Sequence, residues 1–372
     1  MASIRLEEVN KYYYSGKQLI HAVMDMNLTI QNGEIVSILG PSGCGKSSTM
    51  RMIAGLEQIT EGNVYVDDVI VNNHTPAERN VALAFESYAL YQHLTVKENI
   101  SFCLKVKGCS VPEMEKQVSW ISELLGIGPL LDHKPSGLSG GQQQLVSLAR
   151  ALIRQPSITL LDEPISHLDT KSRMAISLKI RQIHNETGLT MAYVTHNQEE
   201  ALALADRIAV MNFGELQQVG PRIEILEKPK NVFVADFVGE PSINLLPCSV
   251  LPGDTEGLRL SSGDGSFSIS LSRAQENLIK ENNLDSVILG LRPIDLYDKS
   301  NDSISQKITG EVQYFEFLGE TGIIKIKVGS ETLIVAVVSP DFKGARDDTV
   351  SLYFDIGKVH LFHPDTTVRL GD

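Results

Sequence analysis

The chain has 372 residues, 42% hydrophobic and 21% charged, values that suit a folded globular protein and exclude wholesale disorder. Lys+Arg total 33 against 46 Asp+Glu, and the net charge of −13 opposes phosphate backbones, which argues against general nucleic-acid binding. The four cysteines (Cys44, Cys103, Cys109, Cys248) form no CxxC pair and fit reduced intracellular thiols, while the lack of an apolar leader or of about 18 consecutive apolar residues gives no sign of a signal peptide or membrane span.

In chain order, Glu34–Leu39 is a buried-strand run, followed by a glycine-rich turn and an amphipathic helix predicted over Lys46–Ala54. From Pro112 to Arg154 the pattern is mainly helical, with Val118, Ile121, Leu124 and Leu125 spaced for one helix face. Ser157–Leu161 and Met191–Thr195 are further apolar runs, and this alternation predicts a parallel sheet covered by helices. A hairpin over Arg207–Met211 and Leu216–Val219 closes the first half, and Pro241 and Pro247 mark a linker. Beyond it, Ser286–Leu291, Gly310–Leu318, Gly322–Val328, Thr332–Val338, Val350–Phe354 and Lys358–Phe362 read as short strands of a small barrel or sandwich.

Between the first strand and its helix lies Gly40-Pro41-Ser42-Gly43-Cys44-Gly45-Lys46-Ser47, a match to G-x-x-x-x-G-K-[ST]. Its glycines let backbone N–H groups face phosphate oxygens at a helix N-terminus. Lys46 is placed to reach the β- and γ-phosphates and the Ser47 hydroxyl to bind Mg²⁺. Ile158–Leu161 runs into Asp162 and Glu163: the first carboxylate can hold Mg²⁺, the second can polarise an attacking water. Leu138-Ser139-Gly140-Gly141-Gln142 opens a helical run with a second anion-facing N-terminus, superfluous for one nucleotide unless it serves a partner's.

With this segment the sequence resembles the ATP-binding-cassette (ABC) ATPases, whose LSGGQ signature completes the nucleotide site across a head-to-tail dimer. Ser166–Asp169 resembles their D-loop, Thr195-His196 their switch histidine, and Tyr13 their adenine-stacking aromatic, with Tyr12 and Tyr14 flanking it. Tyr88-Ala-Leu-Tyr91-Gln-His93, Leu204–Ile208 and Gly290–Asp295 narrow the likeness to importer ATPases for maltose, other sugars and glycerol 3-phosphate. The resemblance implies an α/β P-loop ATPase domain over 1–235, with a helical subdomain at about 88–155, then an all-β, OB-like TOBE regulatory domain over 236–372.

It further implies a homodimer clamping two ATP molecules. One protomer would contribute Tyr13, residues 40–48 including Ser48, Glu86, Asp162, Glu163 and His196, and the other Ser139, Gly140, Gly141 and Gln142. Metal contacts fall to Ser47, Glu86 and Asp162, catalysis to Glu163 and His196. Implied partners are two integral-membrane permease subunits reached through a groove near Glu86–His93, an extracytoplasmic solute-binding protein indirectly, and a regulatory protein on the tail domain, with the chain peripheral on the cytoplasmic face.

Some positions depart from the family pattern. Glu86 stands where relatives carry Gln, Gln143, Gln144 and Leu145 replace a Gln/Arg-rich stretch, and Asn197 replaces Asp. Two unit charges about 5 Å apart at an effective dielectric of about 20 repel by roughly 3 kcal/mol, so Glu86 is expected to slow or retune coupling without abolishing nucleotide binding. The competing expectation is a slow or inactive ATP-dependent switch that mainly binds partners; Glu163 and His196 oppose it.

Overall fold

The computed structural model describes residues 2–16, 18–85, 87–166, 168–253, 257–300 and 306–371. It divides into two compact units, Met1–Arg222 and Ile223–Asp372.

The first unit opens with two long antiparallel strands, β1 (Ile4–Ser15) and β2 (Gln18–Ile30). They join β4 (Glu61–Val66) and β5 (Val69–Ile70) in a sheet ordered β2-β1-β4-β5. The second sheet carries β3 (Ile35–Leu39), β6 (Val81–Ala84), β7 (Ile158–Asp162), β8 (Thr190–Thr195), β9 (Arg207–Asn212) and β10 (Glu215–Pro221) in the order β10-β9-β3-β8-β7-β6. β3 runs parallel to both β8 and β9, and β7 runs parallel to β8 and β6. The helices are α1 (Lys46–Ala54), α2 (Val96–Val106), α3 (Val111–Leu125), α4 (Gly140–Leu152), α5 (Thr170–Thr187) and α6 (Gln198–Leu204).

Alternate residues of the parallel strands feed two cores, as the two-residue period of a strand dictates. On β8, Ala192 and Val194 pack with Ile4, Met26 and Ile53, beside the antiparallel sheet and α1. Met191 and Tyr193 face the opposite core with Val118, Ile121, Leu124 and Leu125 of α3, the four residues whose spacing predicted one helix face. Helical structure begins earlier than the pattern indicated: α2 starts after Thr95, whose side chain accepts from Glu98 N while the Glu98 carboxylate accepts from Thr95 N.

The second unit contains α7 (Arg222–Glu227) from Ile223 onward and α8 (Val232–Phe237), then β11 (Asn244–Pro252), β12 (Leu258–Ser262), β13 (Ser268–Ser270), α9 (Arg273–Glu281) and β14 (Ser286–Leu291). It ends with β15 (Gln306–Phe317), β16 (Gly322–Val328), β17 (Thr332–Val338), β18 (Thr349–Phe354) and β19 (His360–Phe362). Two antiparallel sheets, β13-β12-β11-β14-β19 and β17-β16-β15-β18, enclose one core of Leu260, Leu289, Ile308, Ile324, Ile326, Ala336 and Leu352.

Arg292, after β14, is buried, and burial lowers its pKa. Its Nε and Nη2 donate to Leu226 O at 3.1 and 2.7 Å, and Nη1 donates to Val238 O at 2.8 Å. The guanidinium thus caps carbonyls at the ends of α7 and α8, groups a helix terminus otherwise leaves unsatisfied. The Gly290–Asp295 segment that resembled a family fingerprint is therefore a structural clasp.

Candidate nucleotide site

β3 is buried at every position and delivers the chain to a loop that must turn sharply before α1. Gly43 and Gly45 hold φ of +81° and +105°, conformations that disfavour any side chain. Gly40 and Gly45 are also hemmed in: a Cβ on Gly40 would collide with Met211 O and the Cys44 sulfur, and one on Gly45 with Ala22 O. The hairpin joining β9 to β10 backs the same loop, since Gly214 N donates to Cys44 O at 3.0 Å. Cys44 itself is buried, and burial raises its thiol pKa against the pull of Lys46.

Lys46, Ser47 and Ser48 form the first turn of α1. Lys46 is only 5% exposed, and its Nζ donates to Gly40 O at 2.9 Å and Pro41 O at 3.0 Å. Ser42 and Gly43 at the rim are exposed. Ser47 Oγ donates to Asp162 Oδ1 at 3.4 Å, which joins the loop to the carboxyl end of β7. Of the three neighbouring tyrosines, Tyr13 is the one facing α1, its hydroxyl 3.3 Å from Ser48 Oγ and its ring 4.7 Å from Lys11 Nζ. Tyr12 stacks on His21, and Tyr14 is 80% exposed.

Glu163 follows β7 with φ of +46°, an uncommon conformation for a residue with a side chain. Its Oε2 lies 2.9 Å from His196 Nδ1, so the carboxylate and the imidazole beyond β8 form one pair. Asn197 caps α6 by accepting from Glu200 N at 3.0 Å. A neutral amide oxygen performs that capping as well as a carboxylate does.

Ser139 is the N-cap of α4. Its Oγ accepts from Gln142 N at 3.4 Å, and Gln142 Oε1 accepts from Ser139 N at 2.9 Å. Gly140 lies where a Cβ would come 3.2 Å from Tyr88 Oη and 3.3 Å from Leu168 Cδ2, while Gly141 faces Ser172 of α5. Among the described residues, the hydrogen bonds of Ser139 and Gln142 stay within this turn and none joins them to the Gly40–Ser47 loop. Gln144 is fully buried, and neither amide atom finds a hydrogen-bond partner among the described residues. Glu86 lies outside the described residues, as does His167.

Sequence reading passed over two residues that the structure ties to this set. Glu200 and Arg173 read as an ordinary first-turn acid and a helix-surface base, yet Glu200 is only 4% exposed and its carboxylate meets Arg173, Tyr193 and Thr195. No short motif announces such a contact across about 30 residues of chain.

The phosphate loop and its acids stand at the carboxyl ends of parallel strands, where open α/β sheets bind ligands. Residues 23–166 match the family model for the ABC transporter, and residues 289–362 match the TOBE domain. The trehalose/maltose import ATP-binding protein of Thermococcus litoralis is 39% identical, covering 98% of this chain and 99% of the relative. The chain belongs to the ABC transporter ATP-binding proteins. The oligosaccharides import ATP-binding protein of Bacillus subtilis is 38% identical, and the sn-glycerol-3-phosphate import ATP-binding protein of Cupriavidus necator 36%, each match covering 100% of both chains. A solved dimeric ATP-binding cassette in a post-hydrolysis state, bound to ADP and Pi, is 34% identical with a TM-score of 0.54 and covers 59% of this chain and 98% of its own. This ABC protein is an ATPase with a P-loop domain followed by a β-rich TOBE domain. Among its described residues, no helix is long and apolar enough to cross a membrane.

Proposed function

We propose that the protein is the ATP-hydrolysing motor subunit of an importer for sugars or a glycerol phosphate, working as a homodimer on the cytoplasmic face of the membrane. The names of its relatives support this class of cargo. Two membrane permease subunits would receive the stroke, a solute-binding protein would deliver cargo to them, and the tail domain would receive regulatory proteins. In our reading the ATPase domain spans 1–235 and the regulatory domain 236–372.

The observation that supports the reading most is the Glu163–His196 pair beside the Ser47–Asp162 contact. A triphosphate entering the loop draws Lys46 away from Gly40 O and Pro41 O toward its own oxygens. The backbone N–H groups of residues 40–48 hold the remaining phosphate charge, and Tyr13 stacks on the base. Ser47 and Asp162 fit Mg²⁺, a hard cation that takes few protein oxygens beside phosphates and water, and when bound it would neutralise charge between the β- and γ-phosphates. Glu163 takes the proton of the attacking water. His196, held at Nδ1 by the Glu163 carboxylate, would offer Nε2 to the γ-phosphate. Ser139, Gly140, Gly141 and Gln142 of the partner close the site and exclude water.

Steady-state hydrolysis by the full chain tests the reading. Glu163→Gln should lower turnover by about 10²–10⁴-fold while nucleotide still binds, and turnover at the native rate would refute it. Glu86 extends the same reading as a residue near the metal and γ-phosphate. Glu86→Gln should raise transport-stimulated turnover, and equal rates would remove that role.

A further inference from the structure

Glu200 brings a carboxylate into the interior, and such a group persists there only when its charge and lone pairs are matched. Its Oε2 accepts from Tyr193 Oη at 2.9 Å and from Thr195 Oγ1 at 2.8 Å. Thr195 Oγ1 in turn accepts from Asn197 N at 2.9 Å, so the acid holds the Thr195 hydroxyl and, through it, the peptide that follows His196. Burial, and then the Glu200 charge, hold the Tyr193 phenol well above its ordinary pKa, which keeps it a donor.

The other carboxylate oxygen, Oε1, lies 3.5 Å from Arg173 Nε. Arg173 belongs to α5, the helix that Asp169 caps, and its Nη2 donates to Leu168 O at 3.3 Å. Among the described residues its Nε is buried without a hydrogen bond, an ion pair one small displacement short of a direct bond. On the near side of the same turn, Ser166 Oγ donates to Glu163 O at 3.1 Å. The contacts therefore form two runs that meet at the Thr195-His196 strand end, Leu168–Arg173–Glu200–Thr195 and His196–Glu163–Ser166. Leu168 also lies against Gly140 at the signature helix.

We propose that Arg173 and Glu200 are a positioning pair for hydrolysis, tying the Leu168 turn to the strand end that presents His196. A displacement of that turn on assembly is transmitted through the guanidinium and carboxylate to the Glu163–His196 contact. The pair acts only through His196. The proposal rests on the reading of Glu163 and His196 as the hydrolytic pair.

The experiment uses the full chain, with ATP turnover, equilibrium binding of a fluorescent ATP analogue, and the imidazole ¹⁵N signals of His196, assigned by their loss in His196→Gln. Arg173→Met removes the charge, whereas Arg173→Lys keeps it but cannot span two acceptors as the planar fork does. Arg173→Met should lower kcat about tenfold while KM and analogue affinity stay within about twofold. Arg173→Lys should recover part of that loss and still shift the His196 signals. Glu200→Gln should match Arg173→Met, and the double variant should be no slower than the poorer single, because both remove one coupling. Native kcat in folded Arg173→Met, additive losses in the double variant, or KM rising in step with a falling kcat would each overturn the proposal. If Arg173→Met does not fold, Arg173→Lys decides: a lower kcat with shifted His196 signals supports it, and native values of both overturn it. Native turnover in Glu163→Gln would instead condemn the hydrolytic reading, whatever the Arg173 variants do.

Discussion

The two units each carry a short, recognisable fingerprint, and the two fingerprints do opposite work. In the first, Lys46, Ser47, Asp162, Glu163 and His196 gather at strand ends, and several of their polar atoms are held by contacts a ligand can replace. In the second, Gly290–Asp295 centres on Arg292, whose donors are committed to the backbone carbonyls of Leu226 and Val238. One charged residue waits for a substrate and the other completes the fold. The difference lies in whether the partners are exchangeable.

Substitutions at the two fingerprints should therefore separate cleanly. Glu163→Gln should lower turnover by about 10²–10⁴-fold with analogue affinity unchanged, measured by steady-state hydrolysis and binding titration. Lys46→Ala should weaken nucleotide binding about a hundredfold, the loss of two charge-assisted hydrogen bonds, and leave the melting temperature near native. Arg292→Met should do the reverse. Denaturant unfolding should show the second unit losing about 2–4 kcal/mol while nucleotide affinity in native buffer is unaffected. Comparable effects of both variants on binding would erase the contrast.

His360 sharpens it further. Burial, with Arg292 and Arg369 nearby, pushes its pKa down to about 4 from an ordinary 6.5, although Asp295 pulls the other way. The unfolded chain then binds a proton that the folded chain refuses, so stability is full above pH 6.5 and falls as pH drops toward 4. At pH 5 the loss should be about 2 kcal/mol, seen as a lower melting temperature of the second unit and relieved in His360→Gln. The smallest effect belongs to Gln144: Gln144→Met removes two amide atoms that have no partner among the described residues, at nearly constant volume, and should raise the melting temperature by about 2–4 °C.

Much of this was legible in the sequence where one physical signal dominates. α1 spans the predicted Lys46–Ala54, and β14, β16 and β17 have the predicted bounds, because apolar runs there are cut off sharply by Gly, Asp or Ser. β1 and β2 went unread because register shifts between Leu6 and Val9 and between Lys11 and Tyr12 break their alternation, and Lys11–Tyr14 looks like a surface cluster. α2 could have been found, since Thr95 and Glu98 form a capping box in plain view. Within the site, the loop and its acids declared themselves through spacing, and the histidine through its resemblance to the family's switch residue. Which tyrosine faces Ser48, and that Glu200 is buried against Arg173, depend on how distant strands and helices pack, which spacing along the chain does not encode.

The backing of the phosphate loop has a consequence for biosynthesis. β3 is flanked by β8 and β9, and the loop after it rests on Met211 and Gly214, all from residue 190 or beyond. While the ribosome is still threading out the first half, the glycine turn has Ala22 beside it but lacks the later strands and hairpin that complete its backing. Nucleotide therefore cannot template the early polypeptide, and competence arrives late and all at once, when the β9–β10 hairpin emerges.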